Sequence, residues 1–313
     1  MAPRPIIIDC DPGQDDAVAL FLAMSSPDEL DILGITAVAG NVPLALTERN
    51  ARMMCDIAGR QDIPVFAGCA KPMIRELITA EAIHGDTGIN GIDAFEPKTP
   101  LQKQHAVDYI IETLLTRYKV TVTLIPTGPL TNIATAIQRE PKILEHVREI
   151  VIMGGAMREG GNRTPSAEFN IMVDPHAADI VFNCGRPITL LGLDVTHRVL
   201  STKERVARIA DLKNSVADAT VGMLNFFHRY DTKKYGSQGT PLHDPCTIAY
   251  LLQPELFKTK VCNVSVETES ELTIGHTAVD FWHVTDRPHN VDWAYDVNAD
   301  GFYELLTERL ARF

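Results

Sequence analysis

Four carboxylates fall within eight residues near the start of the chain, in Asp9-Cys10-Asp11-Pro12-Gly13-Gln14-Asp15-Asp16. Pro12 and Gly13 force a turn, so Asp11 leaves one element while Asp15 and Asp16 open a helix. A single Asp at a helix N-terminus is ordinary capping and dipole compensation. That accounts for Asp15 or Asp16, and a turn accounts for Asp9. It does not account for four together, which repel one another and raise each other's pKa unless a cation is present. An all-oxygen cluster of this kind suits a hard cation such as Ca²⁺ or Mg²⁺. The spacing is not that of an EF-hand, because the Asp-x-Asp-Gly pattern and the distal Glu are missing.

Other segments carry weaker signals. Gly40-Asn41 reads as a turn when taken alone. Pro126-Thr127-Gly128-Pro129-Leu130-Thr131-Asn132 can expose the Thr127 carbonyl and offers Thr131 as a helix cap. Glu168-Phe169-Asn170, together with Asn162, supplies donors and acceptors suited to the vicinal hydroxyls of a sugar, although such residues also populate solvated loops. In His243-Asp244-Pro245, Asp244 either opens a helix with Pro245 at its first position or ligates a metal. His243 is a proton donor or binding group, or a structural histidine. His84 in His84-Gly85-Asp86-Thr87-Gly88 is equally open. No Gly-x-Ser-x-Gly elbow, phosphate-binding loop or dinucleotide fingerprint is present. An Asp-x-Asp at the end of a first strand is also similar to haloacid-dehalogenase-like phosphatases, but the later Lys and second acidic pair of that chemistry are not evident.

These residues must be held by the elements around them. Strand-like runs at Pro5–Asp9, Ile32–Ala39, Ile63–Ala67, Val120–Ile125, Ile150–Met153 and Ile188–Leu193 alternate with helical stretches at Asp15–Met24, Leu44–Ala58, His105–Arg117, Leu130–Gln138 and Pro175–Phe182. That alternation predicts an α/β fold, an open and mostly parallel sheet flanked by helices in the Rossmann-like manner. After residue 200 the pattern changes to helical and β additions. Ser201-Thr202-Lys203-Glu204 reads as a capping box, followed by a helix over Val216–Tyr230 and another near Asp244. Strand-like runs at Val261–Val266 and Leu272–Thr277 precede a last helix. Residues 68–100 and 154–174 read as long polar loops, which are usually functional in a compact fold. In a parallel sheet, ligands bind where the strands end at their carboxyl edge.

The chain has 313 residues and a formal net charge of −12, from 29 Lys+Arg against 41 Asp+Glu. That balance argues against a protein that mainly grips phosphate backbones, so no nucleic-acid partner is expected. No Ser-, Pro- or Gly-rich linker divides the sequence, and residues 1–313 read as a single domain. Six cysteines show no zinc-type or Cys-x-x-Cys spacing, which suggests reduced thiols and a cytoplasmic protein. Ile6-Ile7-Ile8 is too short for a signal core, and no apolar run approaches the ~18–20 residues of a membrane span.

Taken in order, the aspartate motif, Val38-Ala39-Gly40-Asn41, His84-Gly85-Asp86-Thr87-Gly88, the Pro126–Asn132 segment, Met153-Gly154-Gly155, Ala167-Glu168-Phe169-Asn170 and His243-Asp244-Pro245 resemble the inosine–uridine-preferring nucleoside hydrolase family. The resemblance outranks the phosphatase reading. It implies Ca²⁺-dependent hydrolysis of the N-glycosidic bond of ribonucleosides to ribose and free base. It implies that Asp11, Asp16, the Thr127 carbonyl and Asp244 hold the ion, with Asp11 also the general base that activates a metal-bound water. Asp15, Asn41, Asn162, Glu168 and Asn170 would hold the ribose, with Met153 contributing its carbonyl and His84 and Phe169 lining the substrate. His243 would serve the leaving group. A homodimer or homotetramer is expected of such enzymes. The base-facing segment from Tyr230 to Leu242 transfers least, with Tyr235 and Gln238 as candidates to cover the base. A nucleoside or sugar binder without turnover is the alternative outside enzymology.

Overall fold

The computed structural model describes residues 2–116, 121–235 and 239–313, and the side chains of 229–235 lie outside that description. Among the described residues, nine strands form the central sheet: β1 (Arg4–Cys10), β2 (Leu30–Ala37), β3 (Val65–Ala67), β4 (Leu101–Gln102), β5 (Val122–Pro126), β6 (Val147–Met153), β7 (Ile188–Leu191), and later β10 (Phe257–Cys262) and β13 (Val291–Val297). Two small antiparallel pairs are β8 (Leu200–Thr202) with β9 (Gly239–Pro241), and β11 (Val264–Val266) with β12 (Thr277–Val279). The sheet order is β10-β13-β7-β6-β5-β1-β2-β3-β4, and every pairing is parallel except β10 with β13. This is the expected open α/β sheet with helical and β additions in its last third.

The chain runs outward from β1 through β2, β3 and β4, then returns to lay β5 on the other side of β1. The β1–β5 boundary is therefore a topological switch point, where the connections leave a crevice beyond the carboxyl ends of the strands. Strands β1, β5 and β6 are almost wholly buried because helices cover both faces. Every residue of the Gln14–Met24 helix is buried, and this helix packs against the Pro245–Leu252 helix. That contact brings residues more than 220 positions apart in sequence to one end of the sheet. No helix among the described residues is long and apolar enough to cross a membrane.

Several boundaries differ from expectation for local reasons. Each long polar loop contains a helical segment, Glu81–His84 in the first and Phe169–Val173 in the second. The helix after residue 200 starts one residue later than a Ser201 cap requires. Thr202 caps Lys203–Ala210 by accepting from Arg205 N, while Ser201 belongs to β8 and bonds the Tyr303 hydroxyl at 2.7 Å. Thr131 is not a cap either, because its hydroxyl donates to Asp174 Oδ2 at 2.7 Å. Of the expected Leu272–Thr277 strand only Thr277 is extended. Leu272 is exposed in a turn, and the pairing partner of β11 begins at Thr277. Val120, expected to begin the β5 strand, lies outside the described residues.

Candidate active site

The site is assembled at the carboxyl edge of the sheet, around a cleft that Asp15, Thr127, Glu168, His243 and Asp244 help to line. Asp11 follows β1 directly and is fully buried. Its Oδ2 accepts from Asn41 N at 2.6 Å, and Asn41 Nδ2 returns a bond to the Asp11 carbonyl at 3.1 Å. Room for this carboxylate comes from two glycines. A Cβ on Gly40 would stand 2.0 Å from Asp11 Oδ2, and one on Gly128 would stand 2.4 Å from Oδ1. Gly40 is thus more than a turn residue, since its missing side chain is the carboxylate's seat. Asp11 Oδ1 is buried with no hydrogen-bond partner.

Asp16 sits one turn into the helix. Its Oδ2 accepts from Gly13 N at 3.0 Å and from Asn41 Nδ2 at 3.3 Å, and its Oδ1 accepts from the Thr127 hydroxyl at 2.7 Å. It therefore caps its own helix and faces the cleft as well. Asp244 stands at the N-cap position of the Pro245–Leu252 helix, with Pro245 first in the helix, yet its side chain makes no capping bond. That carboxylate is left for the cluster. Carboxylate oxygens of Asp15, Asp16 and Asp244 lie within 4.8 Å of one another. Asp11 is not in this group, although the charges of Asp16 and Asp15 act on its carboxyl, and Asp15, which the resemblance gives to the ribose, is one of the three.

Burial raises every one of these carboxyls, and mutual repulsion adds to it for Asp11, Asp15 and Asp244. Asp15 is pushed up to about 7, while Asp11 and Asp244 are driven well above the usual carboxylate range. Asp16 rises less freely, because the Gly13 N–H and the Thr127 hydroxyl favour its charged form. Two helix N-termini point here and supply partial positive charge, which is too little for four anions. The donor set, all oxygen, buried and with one carboxylate oxygen unpartnered, fits a hard divalent cation. Asp9 is set apart from this group. Its Oδ1 accepts from Thr36 Oγ1 at 2.5 Å and Asn132 Nδ2 at 2.8 Å, and burial raises it to about 7.

The remaining expected residues line the same cleft: Asn41, His84, Thr127, Met153, Asn162, Glu168, Phe169, Asn170 and His243. Several of their polar atoms are already committed. Glu168 caps the Phe169–Val173 helix through Asn170 N and Ile171 N and also accepts from Gly155 N at 3.0 Å. Burial still lifts it to about 7. Asn162 Oδ1 accepts from Phe169 N at 2.9 Å, and Asn170 Nδ2 donates to the Thr127 carbonyl at 2.6 Å and the Met153 carbonyl at 3.3 Å. Desolvation pulls His84 down to about 4 and His243 down to about 3, the latter helped by His197 and His84. The side chain of Tyr235, with Tyr230 and Gln238, lies outside the described residues.

Sequence reasoning missed Ile83, Arg163, His197, Phe227 and Pro241 on the wall of the cleft. It also missed two buried residues behind the wall, Gln14 and Thr196, which bond the rings of His84 and His243. Only Gln14 carried a signal, its place inside the aspartate motif. Ile83 comes from the Glu81–His84 helix, and the others from elements beyond residue 160. Among the described residues, the cationic side chain that lines the cleft is Arg163, and no described lysine does.

An open α/β sheet with an aspartate-lined cleft at its switch point, taken with the family match and the named relatives, defines a ribonucleoside hydrolase. The chain belongs to the inosine-uridine preferring nucleoside hydrolase family, whose sequence model matches residues 6–304. It is 50% identical over 311 residues to the pyrimidine-specific ribonucleoside hydrolase RihA of Photobacterium profundum, covering 99% of each chain. Among solved structures it is similar to a plant nucleoside hydrolase, PpNRh1, with a TM-score of 0.92, 32% identity and 99% of each chain covered. It is also similar to a purine-preferring ribonucleoside hydrolase from Gardnerella vaginalis, with a TM-score of 0.91, 32% identity and 98% of each chain covered.

Proposed function

We propose that this chain cleaves the N-glycosidic bond of ribonucleosides with the help of one Ca²⁺ held by Asp11, Asp16, Asp244 and the Thr127 carbonyl, and that pyrimidine ribonucleosides are its preferred substrates. The observation that carries the proposal is the gathering of buried, mutually repelling carboxylates in a cleft lined by polar side chains. The pyrimidine preference rests on the 50% identity to RihA, against 32% to the purine-preferring enzyme. When bound, the cation would neutralise the carboxylates, orient the attacking water and hold the ribose diol.

The chain's own residues do the rest. Asp11 takes the proton of the water as its oxygen bonds to C1′, and the buried Oδ1 without a partner supports that role. The C1′–N bond breaks with its electron pair passing to the base, and the sugar acquires oxocarbenium character. Asp15 holds a ribose hydroxyl and, with Glu168, stabilises the positive charge growing on the ring. Asn41, Asn162, Asn170 and Met153 shape the sugar pocket. Phe169 and His84 wall it, and His243 meets the departing base.

We also propose that the chain works in the cytoplasm as one domain and as a homodimer or homotetramer. Six free cysteines support the reducing compartment. Light scattering on the purified protein measures its assembly. The deciding experiment for the function is incubation with uridine and inosine in phosphate-free buffer containing Ca²⁺. Release of free base and reducing sugar is expected, faster from uridine, and no base release from either would overturn the proposal.

A further inference from the structure

Three imidazoles line the cleft. His197 Nδ1 lies 3.0 Å from the Glu159 carboxylate, whereas His84 and His243 each have one ring nitrogen occupied from behind by a buried neutral side chain. Gln14, fully buried, holds His84. Its amide nitrogen donates to the main-chain carbonyls of His84 at 2.9 Å and Asn90 at 3.1 Å, while its Oε1 lies 2.7 Å from His84 Nδ1. Two carbonyl oxygens can be met only by a donor, so turning the amide over would set three acceptors together. Oε1 therefore faces Nδ1, and Nδ1 carries the proton. Desolvation keeps the ring uncharged near neutrality, which leaves Nε2 as a lone pair.

His243 is held in the opposite sense. Its Nδ1 lies 2.7 Å from the hydroxyl of Thr196, which is fully buried and makes no other side-chain hydrogen bond among the described residues. If Nδ1 carried the proton, the threonine O–H would be a buried donor with no acceptor, a loss of about 1–3 kcal/mol in the general case. Donating to Nδ1 satisfies it, and the imidazole proton then sits on Nε2. Neither Nε2 is a sealed, partnerless atom of the interior, and both rings face the cleft.

We propose that Gln14 and Thr196 are positioning residues that lock His84 and His243 in opposite tautomers, so that this pair offers the cleft an acceptor, His84 Nε2, and a donor, His243 Nε2–H. A ring free to change tautomer offers either polarity and discriminates poorly. A locked pair reads hydrogen-bond polarity. The donor meets an acceptor atom of the departing base, where negative charge collects as the bond to C1′ breaks. The acceptor meets a hydroxyl or N–H of the substrate. What the two nitrogens meet rests on the ribonucleoside reading above, whereas the tautomers do not.

The test is NMR of the full-length, Ca²⁺-saturated protein labelled with ¹⁵N-histidine, using long-range ¹H–¹⁵N correlation, with His84→Gln and His243→Gln serving only to assign the signals. The expected spectrum has His84 protonated on Nδ1 and His243 on Nε2. Either ring in the other tautomer, or in an averaged mixture, overturns the proposal. In kinetics, Thr196→Val should lower the ratio of kcat for uridine to kcat for p-nitrophenyl riboside by about ten- to a hundredfold, less than the ~10²–10³ seen when a transition-state donor is deleted outright. Thr196→Ser should restore the ratio. A folded, Ca²⁺-binding Thr196→Val with an unchanged ratio overturns the role of Thr196. If that variant fails to fold, the spectrum of the unmodified protein decides. Absence of uridine turnover would sink the ribonucleoside reading while the spectrum still judges the tautomers.

Discussion

The side-chain amide of Asn170 donates to the Thr127 carbonyl oxygen at 2.6 Å, and the same nitrogen reaches the Met153 carbonyl at 3.3 Å. One buried side chain therefore ties together the carboxyl ends of β5 and β6 at the floor of the cleft. The two oxygens it holds are the two main-chain atoms that the family resemblance assigns to the ion and the sugar. Asn170 is fixed in turn, because Glu168 Oε1 accepts from its backbone N–H at 3.0 Å.

Asn170→Asp should therefore be worse than Asn170→Ala. Alanine leaves two carbonyls short of a donor, a loss of about 1–3 kcal/mol in the buried limit. Aspartate sets a carboxylate against the same two oxygens. Thermal unfolding should rank wild type above alanine and alanine above aspartate, with kcat/KM for uridine following the same order. An aspartate variant as active as wild type would mean that Asn170 does not organise the floor.

Asp16→Ala separates structural from ionic roles. The substitution removes the cap on Gly13 N and the partner of the Thr127 hydroxyl, but it also removes one of several repelling buried charges. The cation-free variant should unfold within a few degrees of the cation-free wild type. The rise in Tm on adding Ca²⁺ should vanish, and activity with it. Calorimetric Ca²⁺ affinity equal to that of wild type would exclude Asp16 as a ligand.

Asp11→Asn keeps the shape of the seat between Gly40 and Gly128 while removing the proton acceptor. Loss of a general base costs ~10²–10⁴-fold in rate. The measurement is kcat at saturating Ca²⁺ with occupancy confirmed, so that weakened binding does not masquerade as lost chemistry. Wild-type kcat at full occupancy would remove Asp11 from the role.

The local part of this site was legible in the sequence because its signals are local. Asp11-Pro12-Gly13 must turn, and Asp15 and Asp16 must begin a helix, whatever surrounds them. His243-Asp244-Pro245 was also readable as a helix start, but the absence of a capping bond from Asp244 was not, since its carboxylate faces Asp15 and Asp16, over 220 positions distant. The same holds for Thr196, whose partner is 47 positions along the chain. Periodicity located β1, β2, β3, β5, β6 and β7 but not β4 or β13, the strand that joins β7 to β10. It also mistook Leu272–Thr277 for a strand, because a short apolar run reads alike in a turn and in an edge pair. Ile83 and Phe227 on the cleft wall carry no motif at all and are recruited by packing.

The cation-free protein should lose stability as pH rises from 5 to 8. Asp9, Asp15 and Glu168 are raised to about 7 in the folded chain, and Asp11, Asp16 and Asp244 are raised also, mainly by burial. A carboxyl raised on folding contributes stability that is fully present below its unfolded pKa near 4 and is lost as pH climbs through its folded value. Tm in chelator should therefore fall across that window. Saturating Ca²⁺ favours the deprotonated carboxylates and should flatten the slope. A Tm in chelator that rises towards pH 8 would contradict the buried, repelling arrangement.

Ribose recognition should depend most on Asp15. Asn41 and Asn170 already spend their amide protons on Asp11, Asp16 and two carbonyls, and Glu168 accepts from three backbone N–H groups. Asp15 is buried, crowded by Asp16, and lines the cleft, so in its ionised form it is an acceptor in need of a hydroxyl. A site built to bond a hydroxyl rejects an analogue lacking it by up to ~10⁴–10⁵-fold, because its own polar groups are left unpaired. Uridine should exceed 2′-deoxyuridine in kcat/KM by a factor approaching that range. Asp15→Asn should lower uridine turnover and narrow the gap between the two substrates, since a neutral amide suffers less when left without a donor. Turnover of 2′-deoxyuridine within about tenfold of uridine by the unmodified protein would sink the diol model. An Asp15→Asn variant with undiminished discrimination would move the recognition to another residue of the cleft.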